Sequence, residues 1–514
     1  MVLIRASAPK RFSEGNVSII KGYPYSRYSF DPGFSAKEAA FADFLAKVFS
    51  RTASVSGYAG TQLSKPQSEK LKRIVQMVEA SNAVEALVPE SELSEAKSAL
   101  ADFLGEFAFV KDRDFFAECV LGQSLGLGKI SPFMSDPMIE EIMVNGSDRN
   151  VFIFHKQFGM CSTPVVFSQQ ELFSLIRRIA VFAGKAFDEA SPLLDARLAD
   201  GSRANATFGS VSATGHSLTI RKFSFIPLSV IDLIQSNTVS AEAAAFLWAM
   251  SEGLSIEPMN MLVTGGASSG KTTLLNVLAA FIRLNDRIIS IEDTLEVSIG
   301  ERDNWVQLEA RPAIGKTPGV SMDDLLKNAL RMRPDRLIVG EVRGEEAQTL
   351  FVAMDTGHKG ILGTVHSNST KEMMLRLKSP PMNVPAAMLP LLDIAIVTEK
   401  FFNPKSGVIR RVKAISEISR MQDQVLLSNV FEYDRKSDEL KRTDVPSRII
   451  EVLAEKTFKS KNEVKQEILV RQKILEWLIE TGVRDHYAVQ RFLQQYYSAP
   501  EEILKKVFEH IRQS

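Results

Sequence analysis

An apolar run, Asn-Met-Leu-Val-Thr at residues 260–264, leads into Gly-Gly-Ala-Ser-Ser-Gly-Lys-Thr at 265–272 and then into an apolar-periodic segment over 273–283. Strand, glycine-rich turn and helix in that order give the spacing G-x-x-x-x-G-K-T its physical meaning. Glycines let the backbone approach an anion closely, and the unpaired N–H groups and dipole at the helix start favour negative charge. Gly265 closes the strand, and the backbone of Gly266, Ala267, Ser268, Ser269, Gly270, Lys271 and Thr272 can face phosphate oxygens, with Thr273 continuing the helix. The Lys271 ammonium neutralises β- and γ-phosphate charge, and the Thr272 hydroxyl is placed to ligate Mg2+. A chance glycine-rich turn would carry neither the Lys-Thr pair nor both flanks. The chain is therefore expected to bind ATP or GTP with Mg2+.

Around this strand, apolar runs at 259–263, 287–291, 336–339, 360–365 and 394–397 alternate with helical periodicity. That is the βαβ signature of a parallel sheet covered by helices, so an α/β fold is expected over 241–514, ending in a charged helical cap from about 446. The whole chain has 514 residues, room for about three domains of roughly 150 residues each. Residues 1–32 read as a flexible N-terminal arm. A helical domain follows over 33–128, with helices at 36–49, 68–84 and 91–109; Leu71, Ile74, Val75 and Val78 set the helical period. Short strand-like runs at 141–146, 151–154, 164–167, 202–207 and 217–222, with a helix at 169–184, make an α+β domain over 129–235. The polar stretch 236–240 (Ser-Asn-Thr-Val-Ser) reads as a linker, with Ser240 as N-cap of a helix at 241–253.

Three more segments carry chemistry. Residues 288–296, Ile-Ile-Ser-Ile-Glu-Asp-Thr-Leu-Glu, form an apolar run ending in acids. An acidic loop is ordinarily just solvated, but on a strand neighbouring the glycine-rich strand it would meet the phosphates, where Glu296 is the preferred base for orienting water. Residues 336–341 end an apolar run in Glu341, placed to hold the metal's water shell. Residues 360–366 end in His366, for which a structural role and a γ-phosphate contact are both open. Upstream, Arg197, Arg203 and Arg221 read either as surface ion pairs or as fingers reaching a nucleotide.

Composition narrows the classes. Lys+Arg and Asp+Glu number 62 each, so the chain lacks the net charge of a nucleic-acid coat and no nucleic acid is expected as a partner. Cys119 and Cys161 are the two cysteines and read as small core residues. No apolar stretch approaches the ~20 residues of a membrane span, which leads to the expectation of a cytoplasmic protein.

These segments in this order (the glycine-rich loop, Ile-Glu-Asp-Thr-Leu-Glu, Arg-Met-Arg-Pro-Asp-Arg-Leu-Ile-Val-Gly-Glu-Val-Arg-Gly, and Thr-Gly-His followed by Gly-Thr-Val-His-Ser) resemble the type II/IV secretion ATPase superfamily over roughly residues 130–400. The resemblance implies a RecA-like ATPase domain at 241–514 preceded by a PAS-like α+β domain. It implies a homohexameric ring that hydrolyses ATP with Mg2+, docked at the cytoplasmic face of a membrane on a polytopic platform protein, with an accessory cytoplasmic regulator possible. By motif position it implicates Lys271 and Thr272 in phosphate and metal binding, Glu296 as general base, Glu292 and Glu341 in metal and water organisation, and His366 near the γ-phosphate. Arg197, Arg203 and Arg221 become candidates for phosphate contacts within a subunit or across the ring. The tetracysteine zinc module of bacterial pilus-extension relatives is missing from the sequence, and the long helical first domain looks more like the archaellum, archaeal pilus and tight-adherence branches. A motor for a pilus-like filament or secretion is the leading expectation. A nucleic-acid transfer motor of the same superfamily and an ATP-gated scaffold are the alternatives.

Overall fold

The computed structural model describes residues 3–5, 16–20, 22, 25–49, 55, 57–58, 61–80, 93–223, 227–300, 302–311, 313, 318–403, 407–421 and 424–513. The chain divides into two compact units, Met1–Ser224 and Phe225–Ser514.

The first unit holds two cores. One is helical: Ala36–Phe49, Lys65–Ala80, Ser94–Leu104 and Arg113–Ser124 close around Phe41, Leu45, Leu71, Ile74, Leu100, Phe103 and Phe116. Helix 36–49 falls where periodicity places it; the next two are shifted or shorter, and Arg113–Ser124 was not anticipated. The other core lies under a sheet built on strands Ile139–Val144, Asn150–His155, Gly159–Val166, Leu193–Arg197, Arg203–Thr207 and Ser217–Arg221, packed against helix Gln169–Phe182. Part of the segment expected to be a flexible arm belongs to this sheet: Ser26–Asp31 runs parallel to Gly159–Val166 and pairs antiparallel with Asn16–Ile20. Tyr28 explains why. Its ring is fully buried against Phe133, and its hydroxyl donates to Asp136 Oδ2 at 2.7 Å.

In the second unit helices α1 (Val230–Gln235) and α2 (Ala241–Glu252) precede strand β1 (Met261–Gly265) and helix α3 (Lys271–Ala280). Then come β2 (Ile288–Glu292), β3 (Trp305–Glu309), α4 (Met322–Ala329), β4 (Arg336–Val342), α5 (Glu346–Asp355), β5 (Leu362–Val365) and α6 (Thr370–Lys378). The sheet continues through β6 (Ile394–Asn403), β7 (Gly407–Met421), β8 (Gln424–Asp434) and β9 (Glu439–Arg442), and the chain closes with helices α7 to α10 at Arg448–Lys456, Lys461–Glu480, His486–Ser498 and Pro500–Gln513. Strand order is β3-β2-β4-β5-β1-β6-β7-β8-β9. The first six are parallel, as expected of a RecA-like domain, and the last three pairings are antiparallel. β1 is buried along its whole length between β5 and β6.

Two expectations are corrected here. β2 does not neighbour β1, because β4 and β5 lie between them. The polar stretch 236–240 joins α1 to α2 inside the second unit, pinned to β7: the Thr238 carbonyl accepts from the Val412 N–H at 2.8 Å and the Ser236 carbonyl from Arg411. Ser240 does cap α2, accepting from the Ala243 N–H.

The C-terminal helices hold the far end of the phosphate-loop helix. Its last turn leaves orphan carbonyls, and Tyr497 donates to Phe281 O at 2.7 Å while Gln494 donates to Ile282 O at 2.9 Å. Beneath them Arg471 on α8 pairs with Glu252 at the end of α2 (2.8 Å), the two being 3% and 1% exposed, and its guanidinium lies 4.9 Å from the Trp248 ring centroid. Removing one member of such a pair strands the other in low dielectric. Arg471→Ala is therefore expected to lower the unfolding free energy by about 3–5 kcal/mol in chemical denaturation; a loss below about 1 kcal/mol, the value of a surface pair, would contradict this role.

Candidate functional site

The glycine-rich loop is shaped by what lies under it. Gly265 ends β1 against β6, where an added Cβ would overlap Thr398 Oγ1 and Ser269 Oγ. Thr398 sits at a register shift on β6, and its hydroxyl donates to Thr264 O at 3.1 Å and lies 2.8 Å from Ser269 Oγ. Such bulges re-aim side chains beside active sites. Ser269 in turn donates to Gly266 O (2.9 Å), and Thr264 Oγ1 donates to Ser367 O (2.9 Å). The loop then turns through two positive-φ residues, Ser268 (55°) and Gly270 (95°), into α3. No side chain caps α3 at Gly270, so its first N–H groups are left for an anion. Lys271 Nζ donates to Gly265 O and Gly266 O at 3.1 Å each, which places its ammonium at the loop. From outside, Arg410 Nε on β7 donates to Ser268 O at 2.9 Å.

Three strand ends supply the remaining groups. The Thr272 hydroxyl donates to Glu296 Oε2 at 3.1 Å, so the acid that follows β2 reaches the first turn of α3 even though β2 is distant in the sheet. Asn276 on α3 straps the same loop, donating to Glu296 O (3.4 Å) and accepting from the Ser298 N–H (3.1 Å). Glu292 is 1% exposed, and its Oε2 accepts from the N–H groups of Glu296 (2.6 Å) and Val297 (2.8 Å). Burial pushes its carboxyl up to about 7 against the lowering effect of those two donors, with Glu296 and Glu309 adding to the rise.

Glu341 lies within the register shift between Val339 and Val342 on β4 and accepts from Arg343 at 2.6 Å. Burial alone would raise its pKa; the Arg343 hydrogen bond, with the nearby charges of Arg343, Lys271 and His366, holds it below the ordinary carboxylate range. The same interactions therefore bring Glu341, Lys271 and His366 within one electrostatic neighbourhood. His366 follows β5, and its carbonyl accepts from Arg376 (2.7 Å). Arg343 also approaches Asp293 Oδ2 at 3.5 Å, bridging the ends of β4 and β2.

Arg343, Thr398 and Arg410 meet the site without a role in the sequence motifs. Only Arg343 carries a sequence signal, two residues after Glu341 in the same motif.

Arg197, Arg203 and Arg221 lie in the first unit. They occupy one register position on three adjacent strands: Arg203 is paired with Arg197 on one side and with Arg221 on the other. Like charges directly opposite one another cost stability unless other groups neutralise them.

The residues suit Mg2+. Among the described residues no group of three or more His, Cys, Asp or Glu side chains could hold a metal ion by itself. Mg2+ asks for less, since one or two protein oxygens suffice when phosphates and water complete the shell. Thr272 beside Glu296, with Glu341 in the same field, fits that requirement.

Comparison with known proteins matches residues 123–424 to the family described as "Type II/IV secretion system protein". An uncharacterised protein of Methanocaldococcus jannaschii is 50% identical over 239 residues, covering 46% of this chain and 33% of that protein. A second from the same organism is 35% identical over 397 residues, covering 75% of this chain and 70% of that protein. A putative conjugal transfer protein of Mycobacterium tuberculosis is 30% identical over 262 residues, 49% of this chain and 72% of that one. The chain thus spans about a third of the first of these relatives and some 70% of the other two.

The fit beneath the loop predicts the effect of one methyl group. Gly265→Ala must push Thr398 or Ser269 aside, a strain of about 1–3 kcal/mol, and if the loop carries that strain into binding, at 1.4 kcal/mol per tenfold the affinity for a fluorescent ATP analogue should fall by about fivefold to a hundredfold. Unchanged affinity in a titration would show that the loop does not depend on this support.

Proposed function

The chain belongs to the type II/IV secretion system protein family, and from that premise we propose that it is an Mg-ATP-hydrolysing motor of the kind that drives a pilus-like filament, an archaellum or secretion through a membrane platform. The observation that carries the reading is the hydrogen bond from Thr272 to Glu296 at 3.1 Å beside Lys271, which puts a candidate base, a candidate metal ligand and a phosphate-binding cation at one helix start.

Each group has a task in that reading. The loop N–H groups and Lys271 bind and orient the β- and γ-phosphates. Thr272 and Glu341 would hold Mg2+ and its water, and the bound ion would neutralise charge that develops on the transferred phosphoryl group. Glu296 orients the attacking water and accepts its proton. His366, at the end of β5, registers the presence of the γ-phosphate, and Arg376 on its carbonyl links that position to α6.

Arg197, Arg203 and Arg221, at one register position on three adjacent strands, are the candidates for further phosphate contacts in a ring of six. A homohexamer, a polytopic membrane platform, a cytoplasmic regulator and peripheral docking at the inner membrane face complete the proposal. No helix among the described residues is long and apolar enough to cross a membrane.

A second reading, transfer of nucleic acid, is favoured by the relative whose name denotes conjugal transfer. The balanced charge, 62 basic against 62 acidic residues, weighs against it.

Steady-state phosphate release separates these readings. Wild-type chain should turn over ATP with Mg2+, and Lys271→Ala should lose about 10²-fold or more in rate, the scale of removing a transition-state charge partner. Wild-type-like turnover in that variant would refute the site. Stimulation of the wild-type rate by single-stranded DNA, falling steeply with salt, would favour the nucleic-acid motor.

A further inference from the structure

Glu292 is where the structure departs most from its motif position, which places it with the metal ligands. Its carboxylate is buried, and one oxygen is spent on two consecutive backbone donors, the N–H groups of Glu296 and Val297 at 2.6 and 2.8 Å. Both bonds lie in the low-dielectric interior, where a hydrogen bond is electrostatically stronger than in water. The space for this side chain comes from β4: a Cβ on Gly340 would lie 2.8 Å from Glu292 Cγ and 3.3 Å from Glu292 Cβ. No larger residue at 340 would let β4 pass so close to it. On its other side the same loop is held by Asn276, through Glu296 O and the Ser298 N–H. With its backbone gripped from β2 and from α3, the loop presents the Glu296 side chain to Thr272.

We infer that Glu292 is a positioning residue, a buried latch that fixes the 296–297 backbone so that Glu296 is aimed at the phosphate site, and not a ligand of the metal. The inference rests on the ATPase reading above for the role of Glu296. Preorganisation of this kind is what makes a base effective, because the geometry is set before the reaction begins.

Reach and charge can be separated by substitution. Glu292→Gln keeps the side-chain length and a carbonyl oxygen able to accept both N–H groups, but removes the charge. Glu292→Asp keeps the charge and is one methylene too short. A latch needs reach, whereas a metal ligand needs charge. Mg2+-dependent phosphate release by the full chain should therefore rank Gln above Asp. With Gln, kcat should stay within about threefold of wild type and the half-maximal Mg2+ concentration should not move; with Asp, kcat should fall about 10²-fold, the scale of a ~1 Å misplacement. The reverse ranking, or a tenfold higher Mg2+ requirement with Gln, would overturn the latch.

Amide hydrogen exchange at Glu296 and Val297 in the nucleotide-free chain reads the latch without turnover. Exchange should be fast in Glu292→Asp and wild-type-like in Glu292→Gln, and continued protection in the Asp variant would also overturn it. A wild-type chain with no Mg2+-dependent turnover would instead defeat the ATPase reading, leaving the exchange result to judge the latch.

Discussion

The second unit is organised around one steric constraint: β1 must end against β6 with no side chain at Gly265, and its loop must turn through positive φ at Ser268 and Gly270 before α3 begins. Everything nearby serves that turn. The hydroxyls of Thr264, Ser269, Ser367 and Thr398 satisfy one another and the loop carbonyls from below. Arg410 holds the rim, and Tyr497 and Gln494 take the carbonyls at the far end of α3. A helix fixed at its C-terminus by side chains, with no side-chain cap at its N-cap Gly270, turns the positive end of its dipole toward the loop.

Strand ends then bring charge to that turn. Register shifts occur on β6 at Thr398 and on β4 around Glu341, and each places a polar side chain at the carboxyl edge of the sheet. The acids do not behave alike, because their environments differ. Glu292 is buried and held by backbone donors, with its carboxyl pushed up to about 7, while Glu341 is held low by Arg343, Lys271 and His366. Carboxylates with environments pushed apart in this way can take separate tasks.

The central parallel strands were legible because they are buried on both faces and so read as continuous apolar runs. β1, β2, β4, β5 and β6 all begin within about two residues of their expected starts. β3, with alternating polar residues, and the antiparallel β7 to β9 were not anticipated. β7 is rich in Arg and Lys, and the register shifts at Val397/Thr398 and Ile415/Ser416 break the two-residue alternation that would mark such strands. The site shows the same division. Lys271, Thr272 and Glu296 belong to motifs, and the structure brings them together at the start of α3. Thr398 and Arg410 meet the loop from 129 and 142 residues away, a proximity set by sheet order alone. Sheet order also removed β2 from the side of β1, and the loop carrying Glu296 bridges the gap. Tyr28 shows the converse, a buried anchor in a segment whose composition reads as an exposed arm.

The central claim is that Glu296, aimed at Thr272, activates water at a bound nucleotide. Its most direct test measures ATP binding and Mg2+-dependent phosphate release on the same preparation of Glu296→Gln. Binding within about threefold of wild type with turnover lowered by about 10²-fold or more, the contribution expected of a general base, is the predicted result. Turnover that survives the substitution while binding is intact would contradict it.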